Sequence, residues 1–381
     1  MPRVFDDEDL RRLKEVLDSG HLVSSGGTQV PAFEQEFAAT LRSPYAVAVC
    51  NAMAGLHAAV AASGAGAGDE VVVDPMVTFA SIAAMYNNAI PVYADIDLAT
   101  HVMDPVSFEA SITERTKAVI VTQLWGLCAD MDAIVDIARR HGTVVIEDCA
   151  HALFATYKGR YAGTLGDIGV FSFQQSKHMT TGDGGCVLCA TEELHDRVRA
   201  FVHFSTVPPS LAWNFRMNEL TGAVARVQLT RAPLYVRECQ ESASYYSQAV
   251  ADCDWLVPQA TPEGRENAYH IWTAAFYGDR QGLTLDDFQT ACREVGFGPN
   301  FGYIGKPAYR QEVISEPRAY GRGCPTGCPL RARDVTYSEG LCPNAEELMP
   351  RIMLVGAGGH PAEHQAAAER LRAAVEKTEG R

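Results

Sequence analysis

One lysine stands between an apolar, strand-like run and a glycine-rich turn in the segment GVFSFQQSKHMTTGDGG, residues 169–185. Val170, Phe171 and Phe173 put Lys177 near the end of a buried strand. Burial disfavours an ammonium ion, lowers its pKa and leaves a nucleophilic amine, which is Schiff-base chemistry. A second group, Glu147-Asp148-Cys149-Ala150-His151, directly follows Val144-Val145-Ile146. A carboxylate in such a run is costly unless a cation or strong donor faces it. Taken alone, Asp148 reads equally well as a helix N-cap or a metal ligand. Beside a buried lysine, a better partner is a protonated pyridine nitrogen, kept charged by Asp148 so that the ring withdraws electrons.

Alternating elements must position these groups. Residues 53–62 are alanine-rich and read as a helix; 69–75, 90–97, 117–123 and 143–150 read as strands, with a helix over 131–141. Short, nearly continuous Val/Ile strands separated by helices imply an α/β fold with a parallel sheet covered on both faces. Ligands in such sheets sit at the carboxyl ends of the strands, which directs attention to 74–79, 123–126 and 148–151. Gly64, Gly66 and Gly68 follow a helix and precede a strand, the reverse of a dinucleotide loop, and read as a turn. Composition changes near 232–245, where a long helix leads into a region richer in Pro, Gly and Cys. The expected division is a large domain over 1–236 and a smaller C-terminal domain over 237–381.

A chain of 381 residues with 47% hydrophobic and 21% charged residues can bury a sizeable core as two packed units or one large α/β domain. Its 32 Lys+Arg against 47 Asp+Glu give a net charge of −15, which argues against binding nucleic acid. The first residues lack the apolar core of a signal peptide, and no stretch reaches the roughly 18–20 apolar residues of a membrane span, so a cytoplasmic protein with no membrane partner is expected. Eleven cysteines, an odd number scattered through apolar segments (Cys50, Cys149, Cys253, Cys292), suit reduced thiols. Cys186/Cys189 lie inside an apolar strand-like run, and Cys324/Cys328 have no nearby Cys or His pair, so no metal is expected.

Six blocks in order resemble the DegT/DnrJ/EryC1/StrS family of pyridoxal-phosphate (PLP) enzymes, mostly sugar aminotransferases. They are SSGGTQVPAFEQEFA (24–38), DPMVTFAS (74–81), VIEDCAHA (145–152), FSFQQSKHMTTGDGG (171–185), NFRMNELTGA (214–223) and CPNAEELMPRIMLV (342–355). The resemblance implies a type I aminotransferase fold, with a mostly parallel central sheet in a large PLP domain, a small C-terminal α/β domain and a homodimer with a shared active site. It assigns Lys177 to the lysine joined to PLP, Asp148 to the partner of the pyridine nitrogen, Phe79 to the aromatic stacked on the ring and His151 to the vicinity of the phenolic oxygen. Ser172 matches the hydroxyl that binds the phosphate, and Asn214 an asparagine that reaches the phosphate from the neighbouring subunit. Backbone amides at the helix start near Ala52 and Met53 complete the phosphate site. Singly, Phe79, Ser172 and His151 read as ordinary structural residues; their joint spacing around Lys177 and Asp148 reverses that reading.

Three positions depart from the family pattern. Asn51-Ala52-Met53-Ala54 replaces the usual Gly-Thr or Gly-Ser step and lacks its hydroxyl; Ile304 stands where many nucleotide-sugar members have His; Asp183 shortens the usual Glu. The resemblance implies transfer of an amino group from glutamate or glutamine to the ketone of a keto sugar, nucleotide-activated or not, or of a keto cyclitol, with pyridoxamine phosphate carrying the group between them. Products of this kind enter amino-sugar, antibiotic or surface-polysaccharide biosynthesis. Lys177 serves as both anchor and general base. Competing readings are a dehydratase of the same fold, in which histidine replaces the lysine, a 3-amino-5-hydroxybenzoate synthase, and a non-catalytic partner of a homologous enzyme.

Overall fold

The computed structural model describes residues 4–204, 211–316, 320, 323–331 and 333–380. Strands β1 (Tyr45–Val49), β2 (Glu70–Val73), β3 (Ile90–Tyr93), β4 (Thr116–Thr122) and β5 (Val144–Asp148) open the chain's main sheet. A short ribbon, β6 (Thr156–Tyr157) and β7 (Arg160–Tyr161), intervenes before β8 (Ile168–Ser172) and β9 (Gly185–Cys189) complete it. The order is β1-β9-β8-β5-β4-β2-β3. From β3 through β8 every pairing is parallel. Val71, Val72 and Val73 alternate sides, yet all are fully buried, so both faces of the sheet are covered. Burying each such side chain contributes about 1.5–3 kcal/mol.

The sheet is mostly parallel, as expected, with one antiparallel edge where β9 runs against both β8 and β1. No helix separates β8 from β9, so the chain has no crossover and must turn back on itself. That reversal forms the loop 173–184, in which Phe173 N–H bonds Gly184 O at 2.9 Å and Thr181 N–H bonds Phe173 O at 3.0 Å. The helix Ala52–Ser63 ends at Gly64, whose φ of 83° is the left-handed cap expected of the glycine turn. The helix Met131–His141 matches its predicted span.

The long helix runs Glu219–Ala249, further in both directions than the 232–245 region suggested, and positions 236 and 237 lie inside it. Its Ala225, Leu229, Ala232 and Val236 join the main core, whereas Ala243 and Tyr246 join a second one. The second core packs beneath a sheet of β10 (Leu256–Pro258), β12 (Ile271–Phe276), β13 (Asn300–Phe301) and β14 (Ile352–Gly356), antiparallel throughout. β11 (Arg265–Glu266) instead pairs with β6, tying the later segment back to the first unit.

The first and fifth sequence blocks meet at the start of the helix Gln29–Leu41. Buried Glu219 accepts N–H bonds from Thr28, Gln29 and Val30 at 2.8, 2.7 and 2.9 Å. Thr28 makes no side-chain cap, so this carboxylate from a distant helix satisfies the orphan amides. No helix among the described residues is long and apolar enough to cross a membrane.

Candidate active site

Parallel strands bring their carboxyl ends level: Thr122 lies opposite Asp148, and Asp148 opposite Val170. Alternation along β5 sends neighbouring Glu147 and Asp148 to opposite faces. Fully buried Glu147 accepts N–H bonds from Gly163, Leu165 and Gly166 at 3.0, 2.7 and 2.8 Å, and from Gln123 Nε2 at 2.8 Å. Its charge is thereby satisfied by the fold. Asp148 receives one such bond, from Ala150 N–H at 3.0 Å, and borders a cavity of about 270 Å³.

Lys177 enters this cavity from the loop after β8, where its N–H bonds Gln174 O at 2.9 Å. Burial brings the amine down to about 8, with the Asp148 charge opposing the fall. Burial likewise pushes Asp148 upward, against the Ala150 N–H and the Lys177 charge. The two groups therefore sense each other across the cavity. His151 is driven well below the usual imidazole range by burial, then by Lys177 and His178. Its ring stacks on Trp125 (5.7 Å, 12°) and on His270 (4.5 Å, 26°). Its Nδ1 is buried with no hydrogen-bond partner among the described residues.

Another wall is the start of the helix Ala52–Ser63, capped by Asn51 Oδ1 accepting from Ala54 N–H at 2.9 Å. Gly185 lets β9 approach it: a Cβ there would lie 2.9 Å from Ala52 N and 2.8 Å from Phe171 O. First-turn amides carry the positive end of the helix, and with Ser172 on the same cavity they suit an anion. Phe79, half exposed, stands on the wall at the start of the helix Thr78–Tyr86. An amine, a carboxylate, an exposed ring, an unpartnered imidazole nitrogen and an anion cup on one cavity fit PLP. No group of three or more His, Cys, Asp or Glu among the described residues is arranged to hold a metal.

Residues 4–336 match the DegT/DnrJ/EryC1/StrS aminotransferase family. The chain belongs to this family. The spore coat polysaccharide biosynthesis protein SpsC of Bacillus subtilis (strain 168) is 36% identical over 319 residues, 78% of this chain and 80% of that protein. A proposed L-glutamine:3-amino-2,3-dideoxy-scyllo-inosose aminotransferase of Streptomyces kanamyceticus is 32% identical over 324 residues, 81% of this chain and 77% of that one. The X-ray structure of the aminotransferase from Psychrobacter cryohalolentis superposes with a TM-score of 0.83 at 27% identity, over 100% of this chain and 98% of that one. This member of the DegT/DnrJ/EryC1/StrS family is a PLP-dependent aminotransferase of the type I fold.

Of the residues expected from sequence, Ala52, Met53, Phe79, Asp148, His151, Ser172 and Lys177 all line the one cavity. Asn214 does not; it is exposed and forms a β-bridge with His203. Sequence reasoning missed Thr122, Gln174 and Tyr303 on the walls. Thr122 ends a Val/Ile run and lies one position before the strand-end stretch 123–126, while Gln123 turns away to bond Glu147. Gln174 was within the lysine segment. Tyr303 carries no local signal, and its neighbour Ile304 packs on the main core instead of lining the cavity.

Proposed function

We propose that this chain transfers an amino group from glutamine or glutamate to the ketone of a keto cyclitol or keto sugar. The observation that carries this reading is Lys177 and Asp148 on one cavity, coupled electrostatically, beside an imidazole nitrogen left without a partner. Lys177 would anchor the cofactor, and its Nζ, when free, would take the proton from the donor's Cα. The same amine later delivers a proton to the carbon that was the acceptor's ketone. Asp148 would keep a proton on the cofactor's ring nitrogen, His151 would serve its phenolic oxygen, and Phe79 would cover the ring. Ser172 and the amides of Ala52 and Met53 would hold the phosphate, with no side-chain hydroxyl from Asn51-Ala52-Met53-Ala54 to help. When bound, PLP supplies an electron sink for negative charge at the reacting carbon.

The exposed Asn214 is read as serving the second copy in a homodimer, which accounts for its position off its own chain's cavity. Residues 1–236 are the cofactor-holding unit, and 237–381 form the smaller one that contributes Tyr303. The dehydratase reading is disfavoured, because Lys177 is retained and His178 does not line the cavity. No disulfide joins the eleven cysteines among the described residues, in keeping with a cytoplasmic, reducing setting. The names of the relatives support cyclitol and polysaccharide-sugar acceptors and glutamine as donor. Single-turnover assays of the pyridoxamine-phosphate-loaded protein with free keto sugars, nucleotide-linked keto sugars and keto cyclitols test this. Recovery of the lysine-linked chromophore with one of these classes is expected; recovery only with small keto acids would contradict it.

A further inference from the structure

The segment after β11 approaches the lysine loop from the C-terminal part of the chain and touches it at two points. His178, next to Lys177, is 4% exposed, and its Nε2 lies 2.9 Å from the carbonyl oxygen of Ala268. Two residues further on, His270 stacks on His151 at 4.5 Å and meets His178 edge-on at 5.6 Å. The segment is itself fixed: Ala268 N–H bonds Gly126 O at 3.0 Å, and Asn267 Oδ1 accepts from Tyr269 N–H at 2.7 Å. Asn267 Nδ2 reaches Gln259 Oε1 at 3.2 Å. A Cβ on Gly126 would fall 2.7 Å from both Asn267 Oδ1 and Tyr269 N, so the two segments meet at closest packing.

We propose that residues 267–270 form a clasp that positions the reacting lysine, with His178 as the positioning residue acting through its bond to the Ala268 carbonyl. Lys177 sits in a loop tied within itself, by Lys177 N–H to Gln174 O at 2.9 Å and by Thr181 N–H and Thr180 Oγ1 to Phe173 O at 3.0 and 3.1 Å. The His178 bond ties the residue next to Lys177 to a separate segment of the chain that is itself held in place. A misplacement of about 1 Å in a reacting group lowers rates by up to about a hundredfold. His270 extends the clasp to His151, so a single backbone segment sets two cavity groups together. This inference rests on Lys177 being the amine that joins the cofactor.

The test compares His178→Gln, whose side-chain amide reaches the place of Nε2, with His178→Asn, whose amide ends one bond short, and with His178→Phe. The readouts are the rate at which apo-protein forms the lysine-linked chromophore on adding PLP, and kcat and KM for the acceptor. The Asn and Phe variants are expected to form the chromophore and turn over about tenfold or more slowly, with KM within about twofold, while Gln stays within about threefold of wild type. If the Phe variant does not fold, the Gln and Asn pair decides alone. Wild-type rates in the Asn variant, or equal losses in Asn and Gln, would overturn the clasp. Absence of a lysine-linked chromophore in the wild type would instead overturn the assignment of Lys177 itself.

Discussion

The chemistry rests on an amine and a carboxylate that alter each other's proton affinity. Because burial brings Lys177 down to about 8, apo-protein should take up PLP with a rate that rises with pH and is half-maximal near 8. The Asp148 charge stabilises the ammonium form and holds that value up. Asp148→Asn should therefore move the midpoint lower, while abolishing most transamination because the ring nitrogen loses its anionic partner. Stopped-flow uptake across pH 6–10 measures this; a midpoint that stays put or rises would show that the two groups do not face each other. That Lys177 and Asp148 border one cavity was legible in the sequence because Asp148 closes an apolar run and Lys177 follows one within four residues, and both are residues too costly to bury without purpose. The strand-end stretch 123–126 missed Thr122 for a related reason. At a strand end, only the register decides which of two adjacent residues faces the ligand, and here Thr122 does.

Strand and helix positions followed from apolar periodicity, and the spans over 90–93, 116–122, 131–141 and 144–148 fall close to where the sequence put them. The direction of β9 did not, since strand direction depends on the connection and not on the residues of the strand. The close approach of β9 to the helix start at Ala52 gives a prediction at this scale. Gly185→Ala would press a Cβ on backbone atoms of Phe171, Asn51 and Ala52, which cannot move as a side-chain tip can. A stability loss of about 1–3 kcal/mol is expected, together with about tenfold or greater loss of PLP affinity as the first-turn amides shift. Fluorescence titration and thermal melting report both, and wild-type affinity would place the phosphate elsewhere. Glu219 supports a second test, because its carboxylate alone caps three amides across elements. Glu219→Gln leaves one carbonyl oxygen for three donors, and a loss of about 2–3 kcal/mol in urea unfolding is expected; a change below about 0.5 kcal/mol would contradict the cap.

At the scale of the whole molecule, two cores share one continuous helix, and Tyr303 from the later part completes a cavity built mainly by the earlier one. Long-range closure of this kind leaves no local trace in sequence, which is why Tyr303 was invisible while the lysine segment was plain. Asn214 gives the proposed dimer a sharp consequence. If it serves the neighbouring subunit, Lys177→Ala and Asn214→Ala chains, each nearly inactive alone, should regain roughly a quarter of wild-type activity when co-expressed, since half of the dimers are mixed and each mixed dimer keeps one intact site. Activity no greater than the two variants give separately would argue against a shared site. The claim beneath all of these is that one amine in this cavity carries the cofactor. Borohydride reduction after PLP addition, followed by peptide mass mapping, tests it most directly: the expected result is a single stable label on Lys177, lost in Lys177→Ala, and a label on another lysine or none at all would contradict it.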